Sequence, residues 1–325
     1  MRRIVLLVLL LVALEGCMNG VAEQPPKPKG DAFAADREEP VKPVAFDPKR
    51  SMDYLEALCK IGPRISGSDG MKKQQEMLEK HFKDRGGKIT WQRFTAAQRS
   101  DPRRRKVEMA NLIVSWHPEN ERRVILCSHY DTRPIADQER DGRDWHKPFL
   151  SANDGGSGVA LLMELANHMK DTKTNLGVDF VFFDGEEYVF ERDDEYFFGS
   201  KHFGHEYRKS RGKPYYGAAI LLDMVGGKKP HFPVDPYSWE HASTLVRTIW
   251  GIAGELKCSA FDSESIGASM LDDHVPLNQN GIPAIDIIDS KYPHWHTLAD
   301  KPENCSGESM EQVAKVLSVW LQRVK

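Results

Sequence analysis

Two short runs, Val124-Ile125-Leu126 and Val181-Phe182-Phe183, are apolar at every position. A strand with one wet face alternates apolar and polar residues. A strand that is apolar on both parities is buried on both faces, as at the centre of an α/β sheet. Further strand-like runs cover 88–94, 110–116, 218–222 and 284–288, and those two runs extend to 123–128 and 178–183. Helical periodicity marks 52–61, 71–85, 158–170, 200–208, 239–256 and 308–324, with the turn-rich loop Gly62-Pro63-Arg64-Ile65-Ser66-Gly67-Ser68 after the first of these. Strands interleaved with helices predict one α/β/α domain with a central mixed sheet. With 325 residues, 40% hydrophobic and 29% charged, the chain has enough apolar material for such a core. A formal charge of −3 leaves no basic footprint for nucleic acid.

The ends of the chain read differently. Arg2 and Arg3 precede an apolar run, Ile4 to Leu14, too short to span a bilayer and right for a signal peptide. The run closes on Leu14-Glu15-Gly16-Cys17, a lipobox-like ending that makes Cys17 the expected lipidation site. The expected location is therefore exported, periplasmic or cell-surface, with a membrane tether through Cys17 and no inserted span. A plain secretory signal, giving a secreted soluble protein, is the alternative. Residues 18–50 hold six prolines among charged residues and few apolar ones, and read as a flexible spacer. Residues 51–325 are then the single catalytic domain. Four cysteines remain there, Cys59, Cys127, Cys258 and Cys305, whose pairing spacing alone does not fix.

In open α/β sheets ligands bind beyond the carboxyl ends of the strands. In this chain those ends are rich in His, Asp and Glu. Cys127-Ser128-His129-Tyr130-Asp131 closes one strand and Phe183-Asp184-Gly185-Glu186-Glu187 another. Leu222-Asp223-Met224 closes a third, Tyr292-Pro293-His294-Trp295-His296-Thr297 follows the last, and Asn153-Asp154-Gly155-Gly156-Ser157-Gly158 opens a helix. Singly, each has an ordinary reading: Asp154 as a helix cap, His129 as a hydrogen-bonded core histidine, Glu186-Glu187 as a solvated face. Jointly they point to zinc, which takes imidazole and carboxylate ligands and keeps a position open for chemistry. Of two adjacent carboxylates, one can coordinate while its neighbour moves protons.

These blocks, in this order, resemble the zinc aminopeptidase and glutaminyl cyclase superfamily over about residues 50–325. The resemblance implies a zinc exopeptidase-like fold, a three-layer α/β/α sandwich with a mostly parallel sheet. It also implies two candidate chemistries. In the aminopeptidases one zinc would sit on Glu187 and His296 and a second on His129 and Asp223, with Asp154 bridging and Glu186 as base. In the cyclases one zinc would sit on Asp154, Glu187 and His296, with Glu186 as acid/base and Asp223 and Asp272 as a hydrogen-bond relay. Leu271-Asp272-Asp273-His274-Val275-Pro276, Trp295 before His296, the segment from Leu221 to Pro233, and Gly199-Ser200-Lys201-His202 resemble the cyclase side. The substrate wall would then draw on Trp295, Leu271 and Tyr292. Leu271 stands where animal cyclases place Gln, and Tyr188 to Phe198 lacks their pocket tryptophan. The implied activity is glutaminyl-peptide cyclisation on peptide or protein N-termini, with one zinc expected and two conceivable. The alternative is a di-zinc aminopeptidase. The loop from Asp137 to Trp145 reads as a surface loop, and the acidic run Asp193-Asp194-Glu195 as solvated.

Overall fold

A computed structural model describes residues 41–102 and 106–324. Cys17, the signal-like segment and residues 18–40 of the spacer lie outside the described residues. The helices are α1 (Pro48–Lys60), α2 (Asp69–Asp84), α3 (Ser157–Met169), α4 (Phe198–Lys209), α5 (Pro236–Glu255), α6 (His274–Gln279) and α7 (Gly307–Arg323). The strands are β1 (Lys88–Ala96), β2 (Val107–Trp116), β3 (Arg122–His129), β4 (Gly177–Phe183), β5 (Tyr215–Asp223), β6 (Phe232–Val234), β7 (Phe261–Ile266) and β8 (Ala284–Ile288).

Six strands form one sheet in the order β1-β2-β4-β3-β5-β8. The four strands β4, β3, β5 and β8 run parallel, and β2 and β1 add an antiparallel edge. This is the mixed, mostly parallel sheet expected. Side chains alternate across it. Val124, Leu126, Phe180, Phe182, Ile220 and Leu222 face a core shared with α1, α2, α3, α5 and α7. Ile125, Cys127, Val181, Phe183, Ala219 and Leu221 face the opposite core under α4 and α6. The doubly apolar runs are therefore doubly buried.

The fold begins earlier than residue 51, so the spacer boundary placed at residue 50 is corrected. Pro48 occupies the first turn of α1, and the Asp47 carboxylate caps it by accepting the Arg50 N–H. Phe46 is buried in the core. The Val44 N–H donates to Ser318 Oγ at 3.2 Å, and the Arg50 guanidinium grips the buried Glu164 carboxylate through two contacts of 2.6 Å. One phenylalanine and one capping aspartate suffice to dock a segment whose composition alone reads as linker. The short parallel pair β6–β7 and the helix α6 have no clear periodicity in the sequence. All four described cysteines are buried free thiols.

His81, on α2, is buried with its Nε2 2.8 Å from the Met163 carbonyl and its ring edge-on to Tyr54. Burial lowers its pKa to about 4. The unfolded chain binds this proton below about pH 6.5 and the folded chain does not until about pH 4. The contribution to stability is thus complete above pH 6.5 and is lost as pH falls toward 4, by about 3 kcal/mol in all. Urea unfolding of His81→Phe is expected to show a shallower loss of stability across that window than the unsubstituted protein; parallel curves would contradict the assignment.

Candidate active site

The parallel strands end together, and their registers bring the ligand-type residues to one level. His129 pairs with Phe183, one residue before Asp184, and Asp223 pairs with Ile288. Asp154 precedes the first turn of α3 and approaches from above. It does not cap α3: Gly156 occupies that position without a side-chain hydrogen bond. Gly155 has φ +65°, and a Cβ there would come within 2.7 Å of the His129 ring. Only glycine lets the backbone pass this close to the imidazole.

Two triads share Asp154, and a third group of ligand-type residues, His129–Glu186–Glu187, lies beside them. His129 Nε2 lies 3.0 Å from Asp154 Oδ1 and 3.3 Å from Asp223 Oδ1. His296 Nε2 lies 3.4 Å from Asp154 Oδ2 and 3.0 Å from Glu187 Oε2. Each set offers three ligand atoms within 4.8 Å of one another. All five residues are buried, and Asp154 Oδ2 and Asp223 Oδ1 have no hydrogen-bond partner. Buried carboxylate oxygens without donors, facing imidazole nitrogens, are the donor set that a divalent metal of the zinc type satisfies.

A second layer of carboxylates fixes the first. Asp131 accepts the backbone N–H of Glu186 at 3.1 Å and of Glu187 at 3.2 Å, holding that pair at the strand end. Glu187 Oε1 accepts the Arg133 N–H at 2.9 Å. Asp300 accepts the N–H groups of Asn153 and Asp154, and Asn153 Oδ1 accepts the Gly226 N–H, tying the α3 loop to the end of β5. Asp137 Oδ1 lies 3.0 Å from His296 Nδ1 and directs the other ring nitrogen at Asp154 and Glu187. Arg133 donates to Asp137 Oδ2 at 2.7 Å. Such outer carboxylates set the orientation and basicity of ligating imidazoles. Asp137 thus leaves the surface-loop reading: it belongs to the site. Backbone strain gathers here too, with His296 at φ 52° and Met224, next to Asp223, at φ 49°.

The electrostatics follow from burying so many acids together. Burial pushes Glu186 well above the ordinary carboxyl range, against the pull of His129 and with help from Asp272. Burial and the neighbouring Asp154 raise Glu187 to about 7. Burial, then Asp223 and Asp273, push Asp272 well up. Asp154 goes the other way: burial raises it, but the imidazoles of His129 and His296 outweigh that and hold it low. Burial opposes protonation of His296, and Asp137, Asp154 and Glu187 override it. A cluster of acids split between high and low pKa values is the pattern of a working acid–base site.

The triads open into a cleft of about 880 Å³. Glu186, Asp223 and Asp272 line it, with Trp295 and Leu271 at the wall. The Trp295 ring stacks on His296 at 3.9 Å and stays 43% exposed, and Leu271 is 71% exposed. Tyr292 is not on the cleft, and its expected place in the substrate wall is corrected. It is buried with Met224 and Ile288, its ring lies beside Gly227, and its hydroxyl donates to Asp300 at 3.0 Å. Its role is to support the loop that carries Asp154. Sequence reasoning passed over Asp131, Arg133, Asp137 and Asp300. Asp131 sits inside a motif already singled out, but residues that act through backbone N–H groups leave no spacing signal. Asp194 caps its own loop, accepting the N–H groups of Phe190 and Glu191. His274 lies between two carboxylates, 3.3 Å from Asp235 and 3.9 Å from Asp286.

Residues 111–321 match the sequence pattern of peptidase family M28. The chain superposes on the crystal structure of a Fimbriiglobus ruber glutaminyl cyclase with a TM-score of 0.84 and 48% identity, covering 88% of this chain and 100% of that one. It superposes on a leucine aminopeptidase precursor from Bacteroides thetaiotaomicron with a TM-score of 0.80 and 29% identity, covering 88% and 100%. A glutaminyl-peptide cyclotransferase of Bos taurus is 26% identical over 244 residues, 65% of this chain and 65% of that protein. With the ligand-bearing strand ends, the shared sheet and the match over most of its length, this chain belongs to the glutaminyl-cyclase branch of peptidase family M28.

Proposed function

We propose that the protein is a zinc-dependent glutaminyl-peptide cyclotransferase. It converts the N-terminal Gln of a peptide to pyroglutamate and releases ammonia. The observation that carries this reading is the wall beside the Asp154–Glu187–His296 triad. There Trp295 lies flat on the ligand imidazole, with Glu186 and the buried Asp272 lining the same cleft. Such a slot takes a planar side-chain amide and brings acid–base groups to both of its ends.

Asp154, Glu187 and His296 would hold zinc, which when bound supplies Lewis acidity to the side-chain carbonyl of the substrate. The substrate's own α-amine attacks that carbonyl, so proximity comes with the substrate. Glu186 takes a proton from the amine at its carboxylate and delivers it to the departing ammonia. Asp272 and Asp223 face the amide nitrogen and hold it by hydrogen bonds. Burial, then Asp223 and Asp273, push Asp272 above the ordinary carboxyl range, which favours a proton on it beside the leaving group. Trp295, Met270, Leu271 and Ile288 give the slot an apolar wall. Trp295→Ala is expected to raise KM about tenfold or more with a smaller change in kcat, because it removes a stacking wall and no proton-transfer group. An equal fall in kcat at constant KM would count against that role.

One zinc per chain is the stoichiometry that this mechanism needs. The His129–Asp154–Asp223 triad supports a second reading, a di-zinc aminopeptidase in which both triads are filled. Peptides beginning Gln-Leu and Leu-Leu separate the two. Ammonia from the first and nothing from the second is the result expected, and free Leu from the second would favour the aminopeptidase.

We also propose that the enzyme is exported and tethered through a lipid on Cys17. The support is the sequence of the first seventeen residues. Among the described residues no helix is long and apolar enough to cross a membrane.

A further inference from the structure

We infer that the end of the sheet opposite the cleft is a surface for anionic phospholipid, and that the enzyme sits on a membrane with its cleft facing away. The active site occupies the carboxyl ends of β3, β4 and β5. The opposite end carries the loops 83–88, 117–122, 170–176 and 206–215. The register makes these loops neighbours along one edge. Lys88 at the start of β1 pairs with Ser115, Trp116 pairs with Val178 near the start of β4, and Arg122 at the start of β3 pairs with Tyr215 at the start of β5.

The charge of the molecule is divided between the two ends. These four loops carry ten Lys or Arg and five Asp or Glu, in a chain whose formal charge is −3. The cleft-side loops 131–145 and 184–195 carry twelve Asp or Glu and four Lys or Arg. Helix dipoles account for part of the asymmetry, since helices of an α/β fold end at the basic edge and favour cations there. They do not account for Lys88, Lys173, Arg211 and Lys213, which lie beyond the helix ends and are exposed. An acidic end and a basic end oppose each other along the strand direction, so an anionic surface orients the molecule with its cleft outward.

The chain also enters the fold at this end. α7 starts beside the site, where the Ser306 N–H donates to the Gly226 carbonyl, and it finishes at Arg323, paired with Glu255 at the far end of α5. The Lys42 carbonyl accepts from Gln322 Nε2 in the last turn of α7. Lys42 therefore lies at the end of α7 remote from the cleft. A lipid on Cys17 would bring that end to the bilayer. The inference rests on the tethering reading for why a membrane is near, and the surface itself is independent of the lipid.

The experiment uses the chain from Met18 onward, which keeps every residue of the fold and carries no lipid. It is floated with vesicles of phosphatidylcholine alone or with added phosphatidylglycerol. Binding is expected only to the anionic vesicles, and it should disappear in high salt. The variant K88E/K173E/K209E/K213E should bind about a hundredfold or more weakly with unchanged turnover in solution. If that variant fails to fold, the salt dependence of the unsubstituted chain decides. Hydrogen exchange should slow in 170–176 and 206–215 on the vesicles and stay unchanged in 137–145. No binding to anionic vesicles, salt-insensitive binding, or protection of the cleft loops would each overturn the inference. A mass measurement of the membrane-extracted N-terminal peptide tests the Cys17 lipid separately, so the two failures cannot be confused.

Discussion

Glu186→Gln is expected to lower kcat on a peptide beginning with Gln by about 10²–10⁴-fold, the range that a positioned acid–base group supplies. The substitution keeps shape and size and removes only the capacity to accept and return a proton. Asp131 holds the backbone N–H of residue 186 whatever its side chain, so the loop should not move. Glu186 is also the carboxylate of the adjacent pair that belongs to neither of the two triads sharing Asp154. Zinc content, measured by elemental analysis, should therefore match that of the unsubstituted enzyme, and KM should change little. A variant that loses zinc together with activity would place Glu186 among the ligands and remove it from proton transfer.

The second large effect concerns the metal triad. His296→Ala should leave the protein with little bound zinc and no measurable turnover. Asp154 and Glu187 would then lose the imidazole that joins them, and only His129 would still contact Asp154. Folding should suffer as well as catalysis. A ligand held at a thousand times its Kd stabilises the fold by about 4 kcal/mol, and breaking a buried charge pair costs about 3–5 kcal/mol. A chelator should accordingly lower the melting temperature of the unsubstituted enzyme, and added zinc should restore it. Chelation should have almost no effect on His296→Ala. Asp137→Asn should behave as a weaker version, with zinc affinity reduced about 10–100-fold, because Asp137 orients the ligand imidazole through His296 Nδ1 and offers no atom to either triad. Elemental analysis over a zinc titration reads all three. Full zinc occupancy in His296→Ala would contradict the site as drawn.

Much of this architecture is written in the sequence, and the parts that are share one property. The runs around Val124-Ile125-Leu126 and Val181-Phe182-Phe183 announce buried strands because apolar content on both parities has few other uses. Once the strands are placed, His129, Glu186, Glu187 and Asp223 fall at their ends without further argument. What escapes the sequence depends on partners far along the chain. Asp300 and Asp131 act on backbone N–H groups, which any residue provides, so no pattern marks them. Asp137 lies 159 positions from the imidazole that it orients, inside a loop whose composition is that of a surface loop. Tyr292 lies beside the ligand segment in sequence but packs away from the cleft, because a turn closed by the Trp295 N–H on the Tyr292 carbonyl separates them. The start of the fold misleads for a similar reason: Phe46 and the Asp47 cap are two residues in a stretch that otherwise has the composition of a spacer.

The most direct test is the mass of the product. The enzyme from Met18 onward, loaded with zinc, is given a short peptide beginning Gln-Leu, with Glu186→Gln at equal zinc content as control. A product lighter than the substrate by one ammonia is expected from the enzyme and not from the control. A peptide shortened by its first residue, with free Gln released, would contradict the account and make this chain an aminopeptidase.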